Sequence, residues 1–135
     1  MVIDSSVTLA WLYDDERTGP VEDVFDQVIV EGAWVPGLWR LEVANGLQQA
    51  VRRRRIDADF RALAIGNLGE LDISIDLEMA TFAWTTTLAL SDRFGLTPYD
   101  ACYLELAQRR SLPLASLDNE LREAARQIGI EALGL

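Results

Sequence analysis

Four acids in this chain stand where an apolar stretch gives way to a helical pattern. Asp4 follows the stub Met1-Val2-Ile3 and precedes Ser5-Ser6 and the amphipathic run Val7–Tyr13. Glu42 falls within the first two turns after the apolar run Ala33-Trp34-Val35-Pro36, and Asp100 closes Thr97-Pro98-Tyr99-Asp100. Asp118 follows Leu112–Leu117 at the next such junction. In open α/β sheets the crevice beyond the carboxyl ends of the strands is where ligands bind. Each acid also has a structural explanation: Asp4 as a turn residue, Glu42 as a helix flank, Asp100 as the N3 acid of a capping box, Asp118 as an N-cap. Several carboxylates directed at one sheet edge repel one another unless a cation sits among them. Mg²⁺ or Mn²⁺ is the natural candidate, since hard ions prefer carboxylates and water. The chemistry that follows is metal-assisted hydrolysis of a phosphodiester.

What is missing narrows the choice. The chain has no histidine, and its 12 cationic residues are all arginine. A Ser-His-Asp triad, a Cys-His pair and a histidine zinc site are excluded. Absence of lysine excludes a Walker-type phosphate loop and Schiff-base catalysis. No G-x-G-x-x-G is present. The single cysteine, Cys102, has no internal disulfide partner and reads as a small core residue in a reducing cytoplasm. Neither a signal-peptide pattern nor an apolar run near the ~20 residues of a membrane span is visible. A net charge of −10 argues against simple phosphate binding, yet suits a chain that gathers carboxylates around metal or meets a basic partner.

The elements that must position these acids follow from periodicity. At 135 residues, half of them hydrophobic, the chain is expected to be one domain spanning 1–135. The first strand is Met1–Ile3, with Ser5 or Ser6 as the N-cap of a helix over Ser6–Tyr13 that exits through the solvated acids Asp14-Asp15-Glu16. A second helix follows Gly19-Pro20, with Val21, Val24, Phe25 and Val28 inward. After the Ala33–Pro36 run, the next helix places Leu38, Leu41, Ala44 and Leu47 on its buried stripe. It ends in Arg52-Arg53-Arg54-Arg55, which is a cationic helix terminus, a phosphate-contacting patch, or both.

Ile56–Leu71 reads as a helix with Phe60, Leu63, Ala64 and Leu68 inward. Asp72–Asp76 alternates as an edge strand, and Leu77–Phe94 reads as one long helix ended by Gly95. Thr97 and Pro98 begin a helix running to Arg110, on which Glu105 reads as solvated. Strand Leu112–Ser116, helix Glu120–Ile128 and strand Ile130–Leu133 complete the chain. Such alternation predicts an α/β fold with a central parallel sheet of about five short strands and helices on both faces. Of Trp34, Trp39 and Trp84, at least two are expected in the core.

Several segments carry a resemblance to a known family. Met1–Ser6 with Leu9-Ala10-Trp11 resembles the opening of a PIN domain of the VapC toxin type. The likeness continues through Leu41–Asn45, Leu96–Ala107 and Leu114–Arg122, in order and across the whole chain. It implies a cytoplasmic, Mg²⁺- or Mn²⁺-dependent ribonuclease, the toxin of a toxin–antitoxin pair, silenced by a VapB-type antitoxin and forming a homodimer. Carried over by position, Asp4 and Asp100 would be the principal metal ligands and Glu42 the third acid. Asp118 would hold metal-bound water or a second ion. Ser5, Thr97 and Ser116 would be hydroxyls supporting these ligands, Ser116 standing where a threonine is commoner. Asn45 is equally explicable as a helix-face amide. The antitoxin's inhibitory segment would lay an arginine or lysine among the four acids.

Two other readings compete. An aspartyl phosphatase or phosphotransferase needs a second acid two residues after the first, where Ser6 stands here, or a later lysine. A catalytically silent binding module of the same fold would keep metal binding without turnover. Nothing in the sequence reads a 2′-hydroxyl, so RNA as substrate rests on the resemblance.

Overall fold

Apolar stubs of two to four residues build the sheet. The computed structural model describes residues 1–135. The strands are β1 (Val2–Ile3), β2 (Ala33–Pro36), β3 (Ile73–Asp76), β4 (Leu114–Ala115) and β5 (Ala132–Leu133). All pairings are parallel, in the order β3-β2-β1-β4-β5. Val2 and Ile3 are fully buried, which is what a central strand covered on both faces requires. From β1 the chain moves outward to β2 and β3, then returns to lay β4 and β5 on the other side. The carboxyl ends of β1 and β4 therefore flank a topological switch point.

Eight helices cover the sheet: α1 (Ser5–Leu12), α2 (Gly19–Glu31), α3 (Trp39–Arg52), α4 (Ala58–Gly69), α5 (Met79–Phe82), α6 (Thr86–Phe94), α7 (Pro98–Arg110) and α8 (Asn119–Gln127). No helix is long and apolar enough to cross a membrane. The most enclosed is α7, buried continuously from Ala101 to Ala107 and packed against β1, β2 and β4. Cys102 lies in that core. Helices α1 and α3 approach closely at Gly46, where a Cβ would run into the side chain of Leu9. That approach brings the first turn of α3 beside the start of α1.

Several sequence expectations are corrected. The cap of α1 is Asp4 itself, whose carboxylate accepts from the Val7 amide, rather than Ser5 or Ser6. The stripe of α3 is Trp39, Val43, Leu47 and Ala50. Leu41 is 75% exposed, two residues from Trp39 and Val43 and so off the buried stripe they define. On α4, Ala64 and Leu68 are buried, but Phe60 and Leu63 are exposed. The expected helix Leu77–Phe94 is two helices, α5 and α6, parted by a turn around Trp84. Trp84 is 89% exposed, whereas Trp39 is buried and Trp34 partly so.

Glu105 is not solvated: it is 3% exposed on α7. The Arg109 guanidinium meets Glu105 at 2.7 Å, Asp76 at 2.8 Å and Glu78 at 3.0 Å. Arg110 adds a contact to Asp76 and stacks on Trp34. Two buried carboxylates thus share one cation, joining the end of edge strand β3 to α7. The Arg109 guanidinium holds the Asp76 carboxyl below the usual carboxylate range. Removing one partner of a buried pair leaves uncompensated charge, so Arg109→Met is expected to cost about 3 kcal/mol or more in urea unfolding at neutral pH. A depressed carboxyl pKa stabilises the fold above its ordinary value of about 4, and the effect is lost as pH falls through the folded value. The gap between wild type and Arg109→Met should therefore narrow in strong acid.

Candidate active site

Two of the four sequence-predicted acids, Asp4 and Asp118, cap helices beside the sheet, and the other two, Glu42 and Asp100, lie on first helical turns. Asp4 follows β1 and is 5% exposed. Its Oδ1 accepts from Ser6 Oγ at 2.7 Å and from the Val7 amide at 3.0 Å. Its Oδ2 accepts from Ser116 Oγ at 2.5 Å. Ser116 also accepts from the Asp118 amide at 3.0 Å, and Ser6 from the Leu117 amide at 2.9 Å. Two hydroxyls therefore relay Asp4 into the loop that begins α8. That loop presents Asp118, whose Oδ1 caps the Leu121 amide at 2.8 Å and whose Oδ2 is left over.

Asp100 lies on the first turn of α7, where Thr97 Oγ accepts from its amide at 3.2 Å. Its carboxyl is pushed up by burial and by the charge of Asp118, against a smaller lowering from Thr97. Glu42 stands on the first turn of α3 and accepts from Tyr103 Oη at 2.5 Å. Burial raises its pKa, the Tyr103 hydrogen bond lowers it, the charges of Asp100 and Asp4 raise it, and Ser5 lowers it slightly. Burial also pushes Asp4 up, against its three side-chain and backbone donors. The charges of Asp4 and Asp100 thus act on Glu42 and that of Asp118 on Asp100, across four segments from residue 4 to residue 118. The three hydroxyls expected to support the acids do lie against them: Ser5 by Glu42, Thr97 by Asp100, Ser116 by Asp4.

The donor set suits a hard divalent cation: four carboxylates, no soft ligand and no basic side chain hydrogen-bonded to any of them. In this arrangement no three acids close around a single point. Uncompensated like charges stand off from one another. Asp4 has committed three of about four acceptor positions, so a cation would take its last Oδ2 position or displace Ser116.

Arg52, Arg53, Arg54 and Arg55 are not brought to the acids. Arg52 ends α3, and ten residues of helix at 1.5 Å each set it about 15 Å along the axis from Glu42. Arg55 is engaged at 2.9 Å by Asp15 and 2.8 Å by Glu16, and stacks on Tyr13. That pairing removes Arg55 from the expected phosphate-contact patch, while Arg52, Arg53 and Arg54 are exposed. Sequence reasoning passes over Ser6, which reads as a cap, and Tyr103, to which it gives no role. Tyr103 has a signal: it follows Asp100 by three residues and so shares its helix face.

Comparison with known proteins gives the family of the chain. The family profile of the PIN domain matches residues 1–127, and the chain belongs to that family. It is similar to Ribonuclease VapC3 of Pyrobaculum aerophilum, with 28% identity over 123 residues covering 91% of this chain and 92% of that protein. Its fold is similar to the crystal structure of PAE2754 from Pyrobaculum aerophilum, with a TM-score of 0.67 and 23% identity, covering 97% of this chain and 88% of that one.

Raised carboxyl pKa values have a thermodynamic consequence. A carboxyl whose folded pKa lies above its unfolded value favours the fold fully below the unfolded value, and that contribution is lost as pH rises through the folded pKa. Asp4, Glu42 and Asp100 should therefore weaken the metal-free protein as pH rises from about 4 toward neutrality. Protons and metal compete for the same oxygens. The rise in melting temperature on adding Mn²⁺ is expected to be larger at neutral pH than at about pH 5.

Proposed function

We propose that the protein is a Mg²⁺- or Mn²⁺-dependent endoribonuclease of the VapC type, the toxin of a toxin–antitoxin pair. What carries this reading is that Asp4, Glu42, Asp100 and Asp118 stand at helix caps and first helical turns with no arginine of the chain paired to any of them. Three of those carboxyls are lifted by burial, Glu42 and Asp100 also by neighbouring acids. Family membership and the name of the ribonuclease relative support it.

Asp4, Glu42 and Asp100 are the residues that would hold the cation, with Asp118 at its water or at a second ion. The chemistry such a cation supplies when bound is neutralisation of phosphoryl charge and acidification of water. Ser6 and Ser116 fix the Asp4 carboxylate, so it does not swing when substrate arrives. The free Oδ2 of Asp118 is an acceptor that can align an attacking water. Thr97 sets the first turn of α7 and with it the approach of Asp100.

The same charge cluster accounts for inhibition. A VapB-type antitoxin that lays an arginine or lysine among the four acids supplies the positive charge they lack and excludes metal. Exposed Arg52, Arg53 and Arg54 are the phosphate-contacting candidates for RNA passing over α3, and a homodimer in the cytoplasm is the assembly proposed.

The test is cleavage of an RNA panel by the purified protein with Mg²⁺ or Mn²⁺, against EDTA and against Asp4→Asn. Loss of several kcal/mol of charge stabilisation should lower cleavage on the order of 10³-fold in Asp4→Asn. Metal binding with no cleavage of any RNA would instead identify a silent binding module. Neutralising Arg52, Arg53 and Arg54 together should weaken single-stranded RNA binding. It should also flatten the salt dependence by about 0.7 in log–log slope for each phosphate no longer neutralised.

A further inference from the structure

Tyr103 is 1% exposed, in the middle of the most enclosed helix, and its hydroxyl has a side chain of another helix as its partner. It donates from α7 to Glu42 Oε1 on α3 at 2.5 Å. The ring is immobilised by the core around it, whereas Glu42 reaches the site through a flexible side chain from a helix whose neighbouring Leu41 and Arg40 face solvent. A rigid donor thus holds a flexible acceptor. The bond engages Oε1, Ser5 is the other side-chain partner of this carboxylate, and the charges of Asp4 and Asp100 act on it as well.

We propose that Tyr103 is a positioning residue for the metal-dependent reaction, holding the Glu42 carboxylate in place for the cation. This rests on the nuclease reading above. Tyr103 touches neither cation nor substrate; it acts through Glu42. A hydroxyl serving only to satisfy its own buried oxygen would leave metal binding unaffected when removed.

The test uses the full chain and Tyr103→Phe, which removes the hydroxyl at nearly constant volume, with Mn²⁺ binding followed by calorimetry. Groups that orient a metal ligand typically contribute 10–100-fold to affinity, so Tyr103→Phe should bind Mn²⁺ about tenfold or more weakly than wild type. In a Glu42→Gln background the same change should have no further effect. RNA binding by the metal-free protein should be unchanged. Equal Mn²⁺ affinity in wild type and Tyr103→Phe overturns the proposal, as does an equal loss in both backgrounds. Wild type that binds no Mn²⁺ overturns the nuclease reading and this role with it. A measurement that needs no substitution covers a variant that fails to fold. In ¹³C-glutamate-labelled wild type, the Glu42 carboxyl resonance should show a deuterium isotope shift between H₂O and D₂O, and its absence overturns the hydrogen bond itself.

Discussion

The Asp4 carboxylate ties together the two halves of the sheet. It caps α1 through the Val7 amide and receives Ser6 and Ser116 from opposite sides. Through those hydroxyls it fixes Leu117 and Asp118 in the loop that starts α8. A buried carboxylate is costly to ionise unless donors surround it. The same donors that make Asp4 tolerable in the core also determine where the neighbouring acids stand. Folding and site assembly are therefore one event at this position.

A second charged network solves the opposite problem. Around Arg109, two buried acids find a cation within the chain, and burial is met by ion pairing. Around Asp4, Glu42, Asp100 and Asp118 no arginine makes an ion pair, although cations are available elsewhere on α3 and α7. Asp76 is drawn below its ordinary pKa while Asp4, Glu42 and Asp100 are lifted above theirs. The contrast separates acids neutralised by an arginine of the chain from acids that have no counter-ion within it. Arg122, buried near Asp4, does not bridge to it; its Nη1 goes to the Ser116 carbonyl at 2.8 Å and pins the end of β4.

Much of the site is legible in the chain because the signals are local. An acid after a buried stub, a Thr-Pro-x-Asp helix start and a Ser-x-Asp strand exit each describe a few residues whose backbone settles their own geometry. The misreadings are those needing knowledge of what lies opposite. Leu41 reads as inward because periodicity gives a stripe but not its phase, and the buried stripe of α3 runs through Trp39 and Val43 instead. Glu105 reads as solvated because its counter-ion is four residues along while the second acid on that cation, Asp76, comes from a distant strand. Arg55 reads with its neighbours because a run of like residues hides that one folds back onto Asp15 and Glu16.

By itself the sequence determined the alternation of short strands and helices, the parallel sheet that alternation imposes, and which four acids stand at the turns. Local patterning and the handedness of crossovers are sufficient for that. Only the tertiary structure decided that β1 lies between β2 and β4, which places Asp4 beside Ser116 although they are 112 residues apart. It also decided that α7 crosses the core so that Tyr103 meets Glu42 from 61 residues away. Contacts between elements depend on how sheet order and helix packing bury the most apolar surface at once, and no segment carries that information alone.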